Sequence, residues 1–107
     1  MNDVVIGEGN LVGKGVFAAR DFSKGEIVIE YNLKPLTKEE FASLPKNEKE
    51  FTHTHQGVIY LYSVPERYVN HSTNPNTLPD LQNNCDVAIR DIKCGEEITT
   101  DATKDDI

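Results

Sequence analysis

Phe17-Ala18-Ala19-Arg20-Asp21-Phe22-Ser23-Lys24-Gly25-Glu26 recurs at residues 87–96 as Val87-Ala88-Ile89-Arg90-Asp91-Ile92-Lys93-Cys94-Gly95-Glu96. The two stretches share an alanine, an Arg-Asp pair and a Gly-Glu pair at equivalent positions. Each reads as a strand, a tight turn and a second strand, because Gly25 and Gly95 accept a positive φ that other residues resist. The strands that follow, Ile27-Val28-Ile29-Glu30-Tyr31 and Glu97-Ile98-Thr99-Thr100, are rich in β-branched residues. Two such hairpins predict a mainly β fold with internal pseudo-symmetry. Long helical periodicity is lacking, so no parallel βαβ unit is expected.

The stretch between the copies has a different character. Thr37-Lys38-Glu39-Glu40 has the spacing of a capping box, with Thr37 as N-cap and Glu40 at N3. One short helix is predicted there, stopping near Leu44 because Pro45 disfavours continuation. Lys46 to Glu50 is charged and expected to be exposed. Val58-Ile59-Tyr60-Leu61-Tyr62 reads as a strand. Ser63 to Asn84, rich in proline and asparagine, is predicted to be a long irregular segment of the kind that carries function.

Composition narrows the field. The chain has 107 residues, with 37% hydrophobic and 7% aromatic residues, which points to one domain over 1–107 with a modest core. It has no long apolar run, so no membrane is expected. The N-terminus lacks the basic start and apolar stretch of a signal peptide, so an intracellular location is expected, cytoplasmic or nuclear. Cys85 and Cys94 fit a reducing compartment. His53 and His55 alternate with threonine and would share one strand face; no carboxylate or cysteine motif supports them, so they read as exposed residues near a turn and no metal is expected. The net charge is −7, from 18 acidic and 11 basic residues. That excludes nucleic acid as a direct partner, which needs a basic face, and suits a basic partner.

Within the irregular segment, Arg67-Tyr68-Val69-Asn70-His71-Ser72-Thr73-Asn74-Pro75-Asn76 has several plain readings, including the Asn74-Pro75-Asn76 turn. It also resembles the Arg-Phe-(Ile/Val)-Asn-His-Ser-x-x-Pro-Asn signature of SET domains. Three further segments agree with that family in order: Gly13-Lys14-Gly15-Val16-Phe17-Ala18, Ile29-Glu30-Tyr31-Asn32 and Gly95-Glu96-Glu97-Ile98-Thr99.

The resemblance implies a SET-type β-clip fold: short strands in small sheets, a threaded C-terminal segment and one short helix. It implies S-adenosylmethionine as cofactor, approached by Lys14, Gly15, Val16 and Phe17 and lined by Arg67, Tyr68, Asn70 and His71. Tyr31 matches a tyrosine at the family's lysine channel, to which Tyr60 or Tyr62 could add a wall. The implied activity is transfer of a methyl group to a lysine of a basic protein or peptide. The family's C-terminal segment usually ends in a tyrosine, and here that position is Ala102. In many relatives a cysteine-rich segment follows the domain, and none is expected here. A catalytically impaired SET-like module that binds cofactor or peptide is therefore the alternative. The Ala-x-Arg-Asp-x-x-x-Gly-Glu pattern also occurs in small β-clip domains called SAF, which lack the Asn-His-Ser-x-x-Pro-Asn segment.

Overall fold

Gly25 and Gly95 take φ of +94° and +91°, so both copies of the repeat turn where glycine permits it. In the computed structural model, which describes residues 3–8 and 13–101, the strands flanking each turn nevertheless do not pair with one another. β2 (Lys14–Ala18), which leads into the first turn, pairs antiparallel with β10 (Glu97–Thr100), which leaves the second. β9 (Cys85–Ala88), which leads into the second turn, pairs antiparallel with β3 (Ile27–Glu30), which leaves the first. The expectation of two separate hairpins is corrected: the copies are clasped together.

The repeated residues explain the clasp. Phe22 and Ile92 exchange backbone N–H···O bonds of 2.8 and 2.9 Å. Ala18 N–H donates to Glu96 O and Ala88 N–H to Glu26 O, each at 2.9 Å, and the two turn glycines return a bond to the opposite alanine at 2.8 Å. The Asp21 carboxylate accepts from Cys94 N–H at 2.8 Å, and Asp91 accepts from Lys24 N–H at 3.0 Å. Each copy therefore satisfies the backbone donors of the other's turn, as buried or crowded backbone groups require. The core follows the same symmetry. Val16, Ala18, Phe22, Val28, Ile29, Ala88, Ile92 and Ile98 form its buried cluster, and Ala18/Ala88, Phe22/Ile92 and Val28/Ile98 are equivalent pairs.

β1 (Val4–Glu8) lies along β2 over its whole length. β10 runs parallel to β7 (Asn70–His71) and to β8 (Thr77–Asp80) while antiparallel to β2. The sheet order is β1-β2-β10-β8-β9-β3, with β7 beside β10. The C-terminal strand is thus inserted between the N-terminal strands and the Asn-rich segment, which is the threading the family resemblance implies. That segment is more ordered than its composition suggests. It contains a 3-10 turn at Glu66–Tyr68 as well as β7 and β8. β7 is held by the distant strand β10, and β8 by the following strand β9 along its whole length with one bridge to β10, rather than by hydrophobic alternation.

A second sheet has the order β4-β6-β5, from β4 (Lys34–Leu36), β5 (Thr52–His55) and β6 (Val58–Leu61). Between β4 and β5, helix α1 (Lys38–Ser43) carries the capping box: Glu40 N–H donates to Thr37 Oγ1 at 3.1 Å, and Thr37 N–H to Glu40 Oε1 at 2.9 Å. Pro45 ends it and leads into a second helical turn, α2 (Lys46–Lys49), which adds to the one helix expected. β5 and β6 form a true hairpin through Gln56 and Gly57, both at positive φ.

Candidate functional site

The β5–β6 hairpin folds an aromatic cluster toward the main sheet. His53 and His55, two apart on β5, present stacked rings 6.5 Å apart on one face, as their spacing implies. They are not residues of an exposed turn. His55 is buried and its Nε2 lies 3.0 Å from Tyr62 Oη, while the His53 ring packs 4.6 Å from the Tyr62 ring. Neighbouring aromatic rings on adjacent strands fixed them there, a pairing that local composition does not reveal.

Tyr62 in turn packs on Tyr31, with ring centroids 5.6 Å apart. Tyr31, just beyond β3, donates its hydroxyl to the buried Asp86 carboxylate of β9. These two tyrosines wall a cavity of about 140 Å³, which is completed by Phe51, Val69 and Thr100 and by the charged residues Glu50, Glu66, Arg67 and Asp86, beside His53. Arg67 is committed: its guanidinium donates to Glu48 at 3.0 Å and to the Tyr62 carbonyl at 2.8 and 2.9 Å, and lies 4.6 Å over the Phe51 ring. Tyr60 does not reach this cavity. It lines a separate cleft with His55, Gln56, Leu81, Gln82 and Asn84.

The other residues singled out in the sequence gather at a rim formed by β2, β7 and β10. Asn70 Nδ2 donates to Lys14 O at 3.2 Å and to Glu97 Oε2 at 2.8 Å. Lys14 is exposed, with Nζ 5.0 Å over the Tyr68 ring. Tyr68 meets Phe51 edge to face at 5.6 Å. His71 Nδ1 stands 3.7 Å from Asp101 Oδ1. Gly15 and Val16 are buried; Val16 lies inside the core and is paired to Ile6 of β1 on one side and Ile98 of β10 on the other, whereas Gly15 stands just beyond the pairing of β2 with β10. Phe17 is half-buried beside Glu97. Rim and cavity adjoin: Val69 and Thr100 line the cavity, and their chain neighbours Asn70 and Thr99 are paired between β7 and β10. Ala102 lies outside the described residues.

Sequence reasoning missed three residues. Asn76, read as part of a turn, is 1% exposed and uses its side chain as a backbone substitute: Oδ1 accepts from Thr99 N–H at 2.9 Å, and Nδ2 donates to Glu97 O at 2.8 Å and to Glu96 Oε2 at 3.1 Å. Glu66 is buried, its Oε2 accepting from Asn32 N–H at 2.7 Å and from Ser63 Oγ at 2.8 Å. Asp86 is the buried partner of Tyr31. Nothing in their neighbouring sequence marks these two carboxylates as buried.

Comparison with known proteins is consistent with this geometry. The SET domain family model matches residues 13–101. The histone-lysine N-methyltransferase EZH2 of Chaetomium thermophilum is 31% identical over 118 residues, covering 89% of this chain and 8% of the relative. The histone-lysine N-methyltransferase trr of Drosophila melanogaster is 30% identical over 119 residues, covering 94% and 5%. The chain thus spans less than a tenth of either relative's length. Among solved structures, that of the Chaetomium thermophilum Polycomb Repressive Complex 2 in an autoinhibited conformation bound to S-adenosylmethionine superposes with a TM-score of 0.70 at 30% identity, over 97% of this chain and 15% of that one. A Plasmodium falciparum chain of similar extent shares the fold, with a TM-score of 0.75 at 24% identity over 94% of this chain and 93% of that one.

Proposed function

We propose that this chain, which belongs to the SET domain family, is the transfer domain of an S-adenosylmethionine-dependent protein-lysine N-methyltransferase. The observation that carries the reading is the junction of two sites. An aromatic, acidic cavity and the rim bearing Asn70 and His71 meet at the same pairing of β7 with β10. Relatives named as histone-lysine methyltransferases, and a solved relative bound to S-adenosylmethionine, support it.

The rim suits that cofactor. Gly13, at φ +105°, has nothing within 4 Å of where a β-carbon would stand, so a ligand can approach the main chain. The same rim bears the Tyr68 ring, the Asn70 amide, the His71 imidazole and the Glu97 carboxylate, which match an aromatic base, a polar amino-acid end and a positive charge. The cofactor, when bound, supplies a methyl group activated on a sulfonium. Lys14 and Gly15, at the end of β2 beyond its pairing with β10, would offer backbone groups, Val16 and Phe17 would hold that end in the sheet, and Arg67, through Glu48 and Tyr62, would fix the wall between the two sites.

The acceptor is a lysine of a basic protein or peptide. Its amine must be neutral to react; removal from water and the positive sulfonium of the bound cofactor would lower the amine's pKa, working against the lining carboxylates Glu50, Glu66 and Asp86, which favour the ammonium. Tyr31 and Tyr62 give that cavity two ring faces, which attract an alkylammonium and hold the nitrogen in line for transfer; much of the rate of such a reaction is positioning. Tyr60, in the adjoining cleft, would meet the substrate chain outside. The net charge of −7 favours a basic partner and an encounter steered by charge. Such a substrate argues for action inside the cell, in cytoplasm or nucleus. Calorimetric titration with S-adenosylmethionine tests the reading: saturable binding to one site is expected, and a folded protein that takes up none would contradict it.

A further inference from the structure

Two polar atoms in the cavity have no hydrogen-bond partner among the described residues: Glu66 Oε1 and Thr100 Oγ1. Both residues are 5% exposed, and both line the cavity. Glu66 is not loosely placed, because its Oε2 is pinned by Asn32 N–H and Ser63 Oγ. A carboxylate oxygen stranded in this way is unfavourable, and native proteins rarely keep one without a reason. Glu66 also precedes the Arg67–Asn76 stretch, so no role for it comes from the family signature.

We propose that Glu66 determines specificity in this cavity, its Oε1 accepting a hydrogen bond from an N–H of an alkylammonium or amine. The inference rests on reading the cavity as the lysine site. Its charge agrees: Glu50, Glu66 and Asp86 line it against a single Arg67, which is already bonded to Glu48. Its size agrees too, since an apolar cavity of about 150 Å³ holds a benzene-sized molecule. A quaternary ammonium would still find the Tyr31 and Tyr62 faces, but it has no N–H and would leave Oε1 bare. The cavity therefore selects unmethylated and partly methylated amines over fully methylated ones. The Thr100 hydroxyl is a second unpaired polar group lining the same cavity.

The test uses n-butylammonium and n-butyltrimethylammonium as probes of the lysine side-chain end, titrated into the whole chain with NMR observation of the Glu66 and Arg67 amides. A hydrogen bond to a charged group corresponds to roughly 10- to 100-fold in affinity. The unmodified protein should prefer the primary ammonium by that factor, and Glu66→Gln should bring the ratio close to one. Equal binding of the two probes by the unmodified protein overturns the proposal. So does a preference that survives Glu66→Gln, which would be steric, or the failure of n-butylammonium to shift these amides. If the protein nevertheless binds S-adenosylmethionine and methylates peptides, the functional reading stands and only the role of Glu66 falls.

Discussion

Replacing Asn76 by alanine should unclasp the threaded strand. The Asn76 side chain is the link between the loop after β7 and β10: it accepts from Thr99 N–H at 2.9 Å and donates to Glu97 O at 2.8 Å, in a site that is 1% exposed. Alanine strands one backbone donor and one backbone acceptor, each at a cost of about 1–3 kcal/mol when buried. The expected loss is therefore about 2–5 kcal/mol, a large part of the roughly 5–15 kcal/mol that holds a typical domain together. With a urea m-value near 1 kcal/mol/M for a small protein, the unfolding midpoint should fall by about 2 M or more. Asn76→Asp keeps the acceptor for Thr99 but turns a carboxylate oxygen toward Glu97 O and Glu96, and should be at least as damaging at neutral pH. Urea unfolding followed by circular dichroism gives the loss, and hydrogen exchange at the Thr99 amide locates it. A loss under about 0.5 kcal/mol, with Thr99 still protected, would refute the idea that this amide holds the thread.

Three further outcomes are expected. Asn70→Ala removes the amide joining Lys14 O to Glu97 and should weaken S-adenosylmethionine binding by about 1–3 kcal/mol in calorimetry, with the fold intact. Burial pushes Glu96 upward, but hydrogen bonds from Asn76 and Lys93 N–H, with Arg90 alongside, outweigh it and hold the carboxyl below its ordinary 4.5. A depressed folded pKa gives stability that is present above the unfolded value and is lost as pH falls through the folded one, so the melting temperature should drop in acid below about pH 4.5 and Glu96→Gln should flatten that drop. Ala102→Tyr restores a hydroxyl that the family carries and should raise methyl transfer by ~10-fold or more with little change in cofactor affinity; silence from both forms, with cofactor bound, would favour a binding module.

Features written in local sequence were legible. The turns at Gly25 and Gly95, the Thr37–Glu40 capping box and the strand from Val58 depend on neighbours within a few residues, and each formed where expected. The strand partners did not follow from the same signals. A strand with the composition of Ile27–Glu30 pairs equally well with the strand before its own turn or with its counterpart in the other copy; Asp21 and Asp91, capping across copies, decide for the second. The site divides in the same way. The signature around Asn70 is contiguous and could be read, whereas the cavity combines Tyr31, Phe51, Tyr62 with Glu66, and Asp86 from four separate stretches. Burial of a glutamate or an aspartate is decided by those long-range contacts, so Glu66 and Asp86 carry no local mark. His55 was misread for the same reason, since its burial is due to Tyr62 and the hairpin turn.

Incubating the protein with S-adenosylmethionine and a lysine-rich peptide, then mapping the product by mass spectrometry, tests the central claim most directly. One or more methyl groups on a lysine side-chain nitrogen are expected, with the yield lost in Asn70→Ala when cofactor is limiting. A folded, cofactor-saturated protein that leaves every lysine of a broad peptide panel unmodified, before and after Ala102→Tyr, would contradict it.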